Sequence, residues 1–409
     1  MRAHRLIWIV CGLGCSGRAP VPAAAQQVRP GIEVLLTDSA HLIAGKRLGL
    51  LTNHTGIDRQ GRRDADLLRT AHGARLTVLF SPEHGFGGTE DRSGLPDATD
   101  SSTGLPIYSL YGGSRTAARA ALDSLDVLLV DLQDVGARYY TYIKFAATMM
   151  RDARRAGKRV IVLDRPNPIG GSEVQGNVRA RAAEPDSMPV GFLPVAMRHG
   201  MTLGELARMA NDVLAIGVDL TVIPAAGWRR EILYDQTGLP WVPPSPNMPS
   251  LESALNYPGL CLFEGTNLSV GRGTGVAFQV LGAPWLDPEA VIRRARGAAL
   301  TGVEVTPAVF TPRAPTDSKY DGEELRGLRV HVVDPTHYDP TKLAVALLAA
   351  IRATHPQQFQ FRAASFDRLA TGPELRLALE AGQPASQIWG AWEEDLARFR
   401  ATRAQYLIY

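Results

Sequence analysis

Cysteine is scarce in this sequence, with three residues in 409. Cys11 and Cys15 lie near the N-terminus, in a segment with the features of a cleaved leader, and Cys261 is alone in the remainder. A chain with one cysteine forms no internal disulfide, so the fold must be stabilised by its core. Cys261 stands in the apolar run from Leu260 to Phe263, which favours a buried structural thiol over a nucleophile.

An excess of charge of one sign is also lacking. Lys and Arg total 44 against 41 for Asp and Glu, which gives a formal net charge of +3, and no dense basic run is interleaved with aromatics. These features exclude nucleic acid as an expected partner. A hydrophobic content of 45% and a charged content of 21% exclude a disordered chain, and the length accommodates two domains with sizeable cores.

A hydrophobic run long enough to suggest a membrane span is absent as well. The apolar segment near the start, Leu6 to Leu13, is short; it follows Arg2 and precedes the small residues Ala23 to Ala25. This order is typical of a secretory signal peptide over residues 1–25. We therefore expect export to the periplasm or the extracellular space. Cys15 leaves lipid anchoring open as an alternative to a free mature protein.

Apolar strand-like runs alternate with helix-compatible segments from residue 46 onward. This alternation predicts an α/β fold with a doubly wound, mostly parallel sheet. The four clearest strands are Arg47 to Thr52, Arg75 to Phe80, Val127 to Asp131 and Arg159 to Asp164, and a later strand is predicted at Asp219 to Pro224. Helices are predicted at Asp64 to His72, Thr116 to Leu125, Tyr142 to Ala156 and Leu203 to Ile216, the last with Thr202 and Glu205 as a capping box.

The stretch Thr237 to Pro258 is dense in proline and is predicted to lack regular helix or central strand. We interpret it as a crossing between two domains that also lines the cleft. A smaller α/β domain is expected after it, with helices at Pro288 to Ala299, Thr341 to Thr354 and Glu393 to Arg403 and a strand at Arg329 to Val333. The predicted division is residues 26–250 and 251–409.

Polar loops directly follow the four strongest strands. The carboxyl ends of parallel strands meet at one edge of a sheet, where ligands bind, so these loops should converge. The loops run from Asn53 to Gly56, Ser81 to Phe86, Asp131 to Asp134 and Asp164 to Pro168. Acids, His, Asn and Arg gathered at such an edge indicate the active site of an enzyme.

Glu83 is the leading catalytic candidate. Pro82 and His84 flank it in a glycine-bounded loop, which should hold the carboxyl stiffly and partly desolvate it, as a general acid requires. A structural carboxylate that pairs with an Arg or caps the next helix fits the same pattern. Asp131 and Asp134 are further acid or base candidates, although an Asp at the end of a strand also binds loop amides.

Several polar and aromatic residues are candidates for substrate binding. An Arg beside tyrosines suits a sugar that carries a carboxylate, although the same tyrosines suit a core. The histidines are candidate metal ligands or structural residues; without H-E-x-x-H or paired-cysteine spacing, no metal is expected. The glycine-rich turn around Arg272 favours the approach of an anion, and Glu264 adds another acid. The binding candidates are Asn53, His54, His84, Arg138, Tyr139, Tyr140, Arg165, Asn167, Asn267 and Arg272.

Many segments together resemble the NamZ-type exo-β-N-acetylmuramidases, long catalogued as a domain of unknown function. The resemblance runs from about Gly31 to the C-terminus. The matching segments are GKRLGLLTNHTG from Gly45, LFSPEHGF from Leu79, TGLPIYSLYG from Thr103, DVLLVDLQDVGARYYTY from Asp126, VLDRPNPIGG from Val162, RHGMTLGELA from Arg198, TGLPWVPPSPNMP from Thr237, YPGLCLFEGTNLSVGRGT from Tyr257 and SKYDGEELRGLRVHV from Ser318.

The resemblance implies a Rossmann-like N-terminal domain that binds no dinucleotide, a second, smaller domain and an active cleft between them. It implies an exo-acting glycoside hydrolase that releases terminal, non-reducing β-1,4-linked N-acetylmuramic acid from peptidoglycan-derived disaccharides or muropeptides, without a cofactor. The family's proposed acid falls in the SPEHG motif, at Glu83. One departure concerns the segment after RPNP-GG, which usually continues Val-Glu-Gly in the family but reads Val174-Gln175-Gly176 here.

Cleavage of a glycosidic bond needs an acid on the departing oxygen and a second group at the oxocarbenium-like centre. The two carboxyl groups lie about 5 to 5.5 Å apart in retaining enzymes and roughly 6.5 to 9.5 Å apart in inverting ones. We expect Glu83 to be the acid. The candidates for the second group are Asp131, Asp134 and Glu264, and those for holding the lactyl carboxylate are Arg138, Arg165 and Arg272.

Two other hypotheses belong to different functional classes. A non-catalytic muropeptide-binding protein would use the same cleft without turnover. A metal-dependent hydrolase would use His54, His84 and Asp131, and it would lose activity to a chelator.

Overall fold

The structure is a computed structural model that describes residues 27–409 except 72, 186, 189 and 299. The expected signal peptide, with Cys11 and Cys15, lies outside the described residues, as does His72 at the end of a predicted helix. In the described residues the strands are β1 (Arg47–Thr52), β2 (Arg75–Ser81), β3 (Ala98–Thr99), β4 (Pro106–Ser109), β5 (Val127–Asp131), β6 (Arg159–Leu163), β7 (Gln175–Val178), β8 (Ala196–Arg198), β9 (Leu220–Ile223), β10 (Val280–Ala283), β11 (Val303–Phe310) and β12 (Leu325–Val332).

The same part of the chain forms helices on both sides of these strands. They are α1 (Gly31–Asp38), α2 (Asp64–Thr70), α3 (Arg115–Asp123), α4 (Tyr142–Arg155), α5 (Leu203–Val213), α6 (Leu251–Leu260), α7 (Pro288–Ala295), α8 (Pro340–Thr354), α9 (Ala363–Ala370), α10 (Glu374–Glu380), α11 (Ala385–Gly390) and α12 (Glu393–Arg403). The predicted capping box of α5 is confirmed: the Thr202 side chain accepts from the Glu205 amide, and the Glu205 side chain accepts from the Thr202 amide.

A seven-stranded sheet forms the centre of the N-terminal part, in the order β3-β4-β2-β1-β5-β6-β9. All its strands except β3 are parallel. The six parallel strands follow the order 3-2-1-4-5-6 of the Rossmann fold, which confirms the predicted doubly wound sheet. The strand order reverses between β1 and β5, so the switch point at which such folds bind ligands lies at the carboxyl ends of these two strands.

Both faces of the sheet are buried, because successive residues of a strand point to opposite sides. Leu50 of β1 belongs to the apolar cluster of α1 and α2, which includes Leu68. Its neighbour Leu51 belongs to the cluster of α4 and α5, which includes Met150. Two helical layers therefore hold the central strands and fix the loops at their carboxyl ends.

The C-terminal part is a smaller α/β unit. Its sheet is antiparallel, in the order β10-β12-β11, and α7 and α8 pack together beside it. The two-domain α/β architecture agrees with the prediction. The last residues return to the N-terminal part, where the Tyr409 hydroxyl donates to Asp164 Oδ2 over 2.9 Å. In the described residues no helix combines the length and the apolar character needed to cross a membrane.

The prediction that no regular helix forms before Pro258 is wrong. Helix α6 begins at Leu251 and includes Pro258 in its last turn. The Ser250 hydroxyl accepts a hydrogen bond from the Ser253 amide over 3.2 Å and so caps the helix. Every residue from Ser253 to Leu260 is buried, so packing outweighs the hydrogen bond that the proline lacks.

Candidate active site

A cleft of about 180 Å³ lies between the two parts of the chain. The loop after β2 and the segment between β5 and α4 form one side, and α6 with the turn that follows it forms the other. The proline-rich crossing contributes Ser245, Asn247 and Met248, as predicted for a segment that lines the cleft. The other lining residues include Glu83, His84, Asp91, Tyr139, Tyr140, Thr141, Tyr257, Cys261, Glu264, Arg272 and Phe278.

Glu83 lies two residues after the end of β2 and is half-buried. Its Oε2 accepts a hydrogen bond of 2.6 Å from the Thr141 hydroxyl, immediately before α4. Tyr111 lies beside it: burial, together with the charge of Glu83, raises the pKa of Tyr111 to about 12. The carboxyl group is therefore held at the wall of the cleft rather than in open solvent.

His84 adopts a backbone conformation that is unusual for a side-chain-bearing residue, with φ of 69°. Its Nδ1 lies 2.8 Å from the Glu90 carbonyl oxygen, so this nitrogen carries the proton. The same nitrogen is 3.7 Å from Asp91 Oδ1. His84 therefore stabilises the turn of the loop from Glu83 to Asp91.

Asp91 is a cleft residue that sequence reasoning missed. Its Oδ2 accepts hydrogen bonds from Asn247 Nδ2 over 2.5 Å and from the Thr316 hydroxyl over 2.7 Å. Asn247 belongs to the proline-rich crossing and Thr316 to the C-terminal part, so Asp91 connects the loop after β2 to both segments. No motif in the sequence distinguishes it from the neighbouring loop acids.

Arg272 and Glu264 form an ion pair on the opposite side of the cleft. Arg272 Nε lies 2.5 Å from Glu264 Oε1, and Nη1 lies 3.7 Å from Asp91 Oδ2. Burial alone would lower the pKa of Arg272, but the adjacent carboxylates raise it, so the guanidinium keeps its charge. The sequence correctly grouped Glu264 and Arg272 with Glu83.

Aromatic rings form the most buried wall of the cleft. Tyr257 makes edge contacts with Tyr139, Tyr140 and Phe278, with ring centroids 4.7 to 6.2 Å apart. The Tyr139 hydroxyl donates to the Pro258 carbonyl oxygen over 3.3 Å. The hydroxyl of Tyr140 is buried without a geometrically satisfactory partner among the described residues. Tyr140 thus presents its ring to the cleft, while its hydroxyl lies in the interior beside Tyr142 and Ser245.

Two family models together match nearly the whole described chain. The model described as "Exo-beta-N-acetylmuramidase NamZ, N-terminal" matches residues 48–252, and its C-terminal counterpart matches residues 255–409. This chain belongs to the NamZ family. The resemblance inferred from the segments around SPEHG is thereby confirmed.

Similar proteins agree with this assignment over most of their length. The chain is 38% identical over 390 residues to the peptidoglycan beta-N-acetylmuramidase NamZ of Bacillus subtilis (strain 168), covering 95% of this chain and 92% of the relative. Crystal structures of two DUF1343 family proteins from Bacteroides fragilis NCTC 9343 match with TM-scores of 0.84 and 0.71 and identities of 33% and 31%. Each match covers 94% of this chain and 99% of the other. The NamZ fold therefore extends through both parts.

Asp131 and Arg165 lie outside the cleft of this NamZ chain, which corrects the prediction that they face Glu83. Arg165 Nε contacts Asp131 Oδ1, and Nη2 lies 3.1 Å from Asp131 Oδ2. The Asp64 carboxyl group lies 3.7 Å from the Arg165 guanidinium, so the three side chains form one buried cluster. Burial next to Asp131 raises the pKa of Asp64 well above its usual value. The guanidinium of Arg165 is thus paired with two buried carboxyl groups rather than exposed in the cleft.

Arg138 is also placed differently from the prediction. It is buried, and its guanidinium donates to the Asn177 carbonyl oxygen over 2.7 Å, to Asn177 Oδ1 over 2.9 Å and to the Leu369 carbonyl oxygen over 2.9 Å. These contacts join the N-terminal part to α9. Burial lowers the pKa of Arg138. A side chain that is used in this way is structural and does not present its charge to the cleft.

The three predicted asparagines satisfy loop backbone or tyrosine groups and do not line the cleft. Asn53 donates to the Tyr142 hydroxyl over 2.8 Å. Asn167 donates to the Met201 carbonyl oxygen over 3.0 Å, and Asn267 donates to the Gln358 carbonyl oxygen over 2.8 Å. The structure thus places these three candidates in internal contacts, away from the cleft lining.

Asp134 is almost completely buried, close to His199. Its Oδ1 accepts from the Gly136 amide over 2.7 Å and lies 3.7 Å from His199 Nε2, while Oδ2 has no protein partner in the described residues. Burial raises the pKa of Asp134 to about 7 and lowers that of His199 to about 3. Such a value would suit a general acid, but Asp134 is not among the residues that line the cleft.

His54 lies behind the loop that carries Glu83. Its Nε2 is 2.7 Å from the Pro243 carbonyl oxygen, and burial lowers its pKa, so the ring is neutral. Gly88 lies against the ring: a Cβ added there would come within 1.7 Å of it. Within the described residues no three His, Cys, Asp or Glu side chains are arranged to hold a metal ion. His54 therefore supports the loop from behind rather than lining the cleft.

Gln175, the departure from the family pattern, also lies away from the cleft. Its Oε1 accepts from Arg198 Nη1 over 3.1 Å, and its Nε2 donates to the Tyr338 carbonyl oxygen over 3.2 Å. A glutamate at this position would meet the buried Arg198 guanidinium. Gln175 thus makes internal contacts and is not among the residues that line the candidate active site.

Proposed function

We propose that this protein is an exo-acting β-N-acetylmuramidase that releases terminal, non-reducing β-1,4-linked N-acetylmuramic acid from peptidoglycan fragments. The observation that carries the proposal is the half-buried Glu83, placed in a cleft between the two parts of a NamZ-family chain. The cleft is small and has an aromatic wall, which suits one sugar unit at the end of a chain better than a long internal segment.

Glu83 is the proposed general acid. The Thr141 hydroxyl donates to its Oε2, and the carboxyl group, which also lies beside Tyr111, lines the cleft in which the glycosidic oxygen would be bound. As the bond between the anomeric carbon and this oxygen breaks, the leaving oxygen takes the proton of Glu83. Water adds to the anomeric carbon, and its proton returns to a carboxylate of the cleft.

Glu264 is the proposed second carboxylate. Of the three acids that the sequence offered for this role, it alone lines the cleft. Arg272 Nε donates to its Oε1, and among the described residues the hydrogen-bond partner of its Oε2 is the Cys261 thiol, 3.4 Å away. Asp91 is less suited, because its Oδ2 accepts from both Asn247 and Thr316. Glu264 would therefore stabilise the oxocarbenium-like centre or orient the attacking water.

Arg272 and Tyr140 are the proposed substrate-binding groups. Arg272 is the one member of the three predicted arginines that lines the cleft, so it is the candidate to hold the lactyl carboxylate of the muramyl unit. The ring of Tyr140 lines the same cleft and is the candidate to pack against the face of the sugar. Arg272 would recognise the carboxylate that distinguishes muramic acid from a neutral sugar.

The deciding experiment compares Glu83→Gln with Glu90→Gln. Both residues belong to the same loop, but Glu90 is exposed and pairs with Arg92 over 2.8 Å. On a MurNAc-GlcNAc disaccharide, Glu83→Gln should lower kcat by about 10²- to 10⁴-fold with an unchanged melting temperature, and Glu90→Gln should behave like the wild type. Near wild-type turnover by folded Glu83→Gln would refute the assignment. Loss of wild-type turnover in the presence of a chelator would favour the metal-dependent hydrolase, and tight product binding without turnover would favour the binding protein.

Export is a further part of the proposal. It is supported by the basic, apolar and small-residue order of residues 1–25. Mass spectrometry of the protein from its native host should find a mature chain that begins near Gln26. An acylated chain that begins at Cys15 would instead establish lipid anchoring.

A further inference from the structure

A second cavity, of about 310 Å³, lies between β7 and the helices α8, α11 and α12. Trp389, Trp392, Lys342, Arg400 and Glu173 are among its lining residues, and we call it the tryptophan cavity. It shares no lining residue with the cleft that contains Glu83. A ligand bound here would not contact the proposed catalytic groups.

The two tryptophans are half-buried, so each ring packs on the core with one part and faces the cavity with another. In the described residues neither indole N–H donates to a protein acceptor, although a buried tryptophan usually finds one. Flat apolar rings with a free donor at the edge suit the faces and hydroxyl groups of a sugar.

Trp389 also borders a neighbouring groove of about 640 Å³. The alanines of α8 that line this groove, Ala346, Ala349, Ala350 and Ala353, keep its floor shallow. The cavity and the groove therefore form one surface that continues past Trp389. A linear ligand fits such a surface better than a compact metabolite.

Charged groups of both signs stand around the tryptophans. Arg400 uses one donor, Nη2, on the Val174 carbonyl oxygen over 3.2 Å, and Lys342 is 40% exposed at 3.9 Å from Asp339. Glu173 also lines the cavity, without a side-chain hydrogen bond in the described part of the chain. This mixture does not favour a polyanion, but it offers donors and acceptors to amides, hydroxyls and an isolated carboxylate.

We propose that the tryptophan cavity is an ancillary glycan-binding site, which holds N-acetylated amino sugars of a peptidoglycan strand away from the cleft. The proposal rests on the proposed function for its choice of glycan. Attachment at a second site makes the encounter between a strand end and the cleft effectively intramolecular. The site should therefore affect the action on strands and leave the action on a disaccharide unchanged.

The test compares Trp392→Ala with Leu377→Ala, a control at a 51% exposed residue of α10. Binding of uncrosslinked glycan strands, with and without stem peptides, is measured by calorimetry, and turnover is measured on strands and on MurNAc-GlcNAc. We expect Trp392→Ala to weaken binding of peptide-free strands and to raise KM on strands, each by tenfold or more, while disaccharide kinetics match the wild type. The dissociation constant of Trp392→Phe for strands should be within about threefold of the wild-type value. Because this variant keeps an aromatic ring, it distinguishes loss of the ring from misfolding.

Equal strand binding by folded Trp392→Ala and the wild type would overturn the proposal. Binding that requires stem peptides would also overturn it, in favour of a peptide site. If the wild type shows no turnover at all, the proposed function fails. Tryptophan-dependent strand binding would still support the site in that case, so the two failures are distinguishable.

Discussion

The Thr141 hydroxyl donates to Glu83 Oε2 over 2.6 Å and so connects residues that are 58 positions apart in the sequence. Glu83 belongs to the loop after β2, whereas Thr141 immediately precedes α4. Between them lie β4, α3 and β5, whose packing in the parallel sheet brings the two loops to the same edge. This hydrogen bond orients the carboxyl group toward the cleft.

Replacement of Thr141 by Val should therefore impair catalysis more than binding. The loss of one hydrogen bond to a carboxyl group is worth about 1.5 kcal/mol, or about tenfold in rate. We expect Thr141→Val to lower kcat by that factor with KM unchanged, and Thr141→Ser to keep most of the activity. Steady-state kinetics on MurNAc-GlcNAc check both variants. Equal losses in the Ser and Val variants would show that the hydroxyl has no positioning role.

Arg272 should determine the preference for the muramyl unit. In Arg272→Met the lactyl carboxylate loses a charge-assisted partner worth about 1.5–3 kcal/mol. Inhibition by free N-acetylmuramic acid should weaken about ten- to hundredfold, whereas inhibition by N-acetylglucosamine should change little. Arg92→Met, at a 61% exposed side chain, is the control. A parallel loss of inhibition by both sugars would argue against carboxylate recognition by Arg272.

Asp134 should make the protein less stable as the pH rises. Because burial raises its pKa to about 7, the folded state retains a proton that the unfolded chain releases near pH 4. This contribution to the free energy of unfolding is complete below the pKa that Asp134 has in the unfolded chain. It is lost as the pH rises to about 7, and the loss is at most about 4 kcal/mol. In Asp134→Asn the unfolding free energy should fall less between pH 4.5 and pH 8 than in the wild type, with kcat within a few-fold. Urea denaturation at the two pH values measures the difference, and a folded but inactive variant would restore Asp134 as a catalytic candidate.

Gln175→Glu should stabilise the protein. Burial lowers the pKa of Arg198, whose guanidinium here meets a neutral amide rather than a carboxylate. The carboxylate introduced at this position would accept a charge-assisted hydrogen bond from Arg198 but would lose the hydrogen bond that Gln175 donates to the Tyr338 carbonyl oxygen. The first effect is larger, so the free energy of unfolding should rise by about 1 kcal/mol. Gln175→Ala, which leaves both partners unsatisfied, should be destabilised. Chemical denaturation at pH 7 ranks the three proteins, and a Glu variant less stable than the wild type would contradict the inference.

Much of the fold was predictable because it depends on local periodicity. Strands β1 and β5 and helix α12 have the predicted bounds, since continuous apolar runs and helical spacing are local signals. Strand β11 was missed because it contains Pro307, a residue that argues against a strand interior. The strand tolerates this proline because it lies at the edge of its sheet and pairs with β12 on one side. Helix α6 was missed because its stability comes from burial against other elements, which a proline-rich sequence does not reveal.

The candidate site was predictable in part. The SPEHG loop and the FEGTN and GRGT segments supplied Glu83, Glu264 and Arg272, which do meet in one cleft. The same reasoning also selected Asp131 and Arg138, which are buried and bonded to protein groups. A polar residue after a strand has the same local pattern whether it faces a ligand or a buried partner, so the sequence did not separate the two classes.

The sequence by itself determined the parallel sheet, the edge at which its loops gather and the family to which the chain is similar. Each depends on residue spacing or on ordered motifs, which folding does not alter. Only the tertiary structure decided which polar groups remain available for chemistry. The carboxylate of Asp131 is bonded to Arg165 and the guanidinium of Arg138 to Asn177, whereas Glu83 and Glu264 line the cleft. Those outcomes depend on distances between residues far apart in the chain, and a buried polar group must find a partner wherever packing places one.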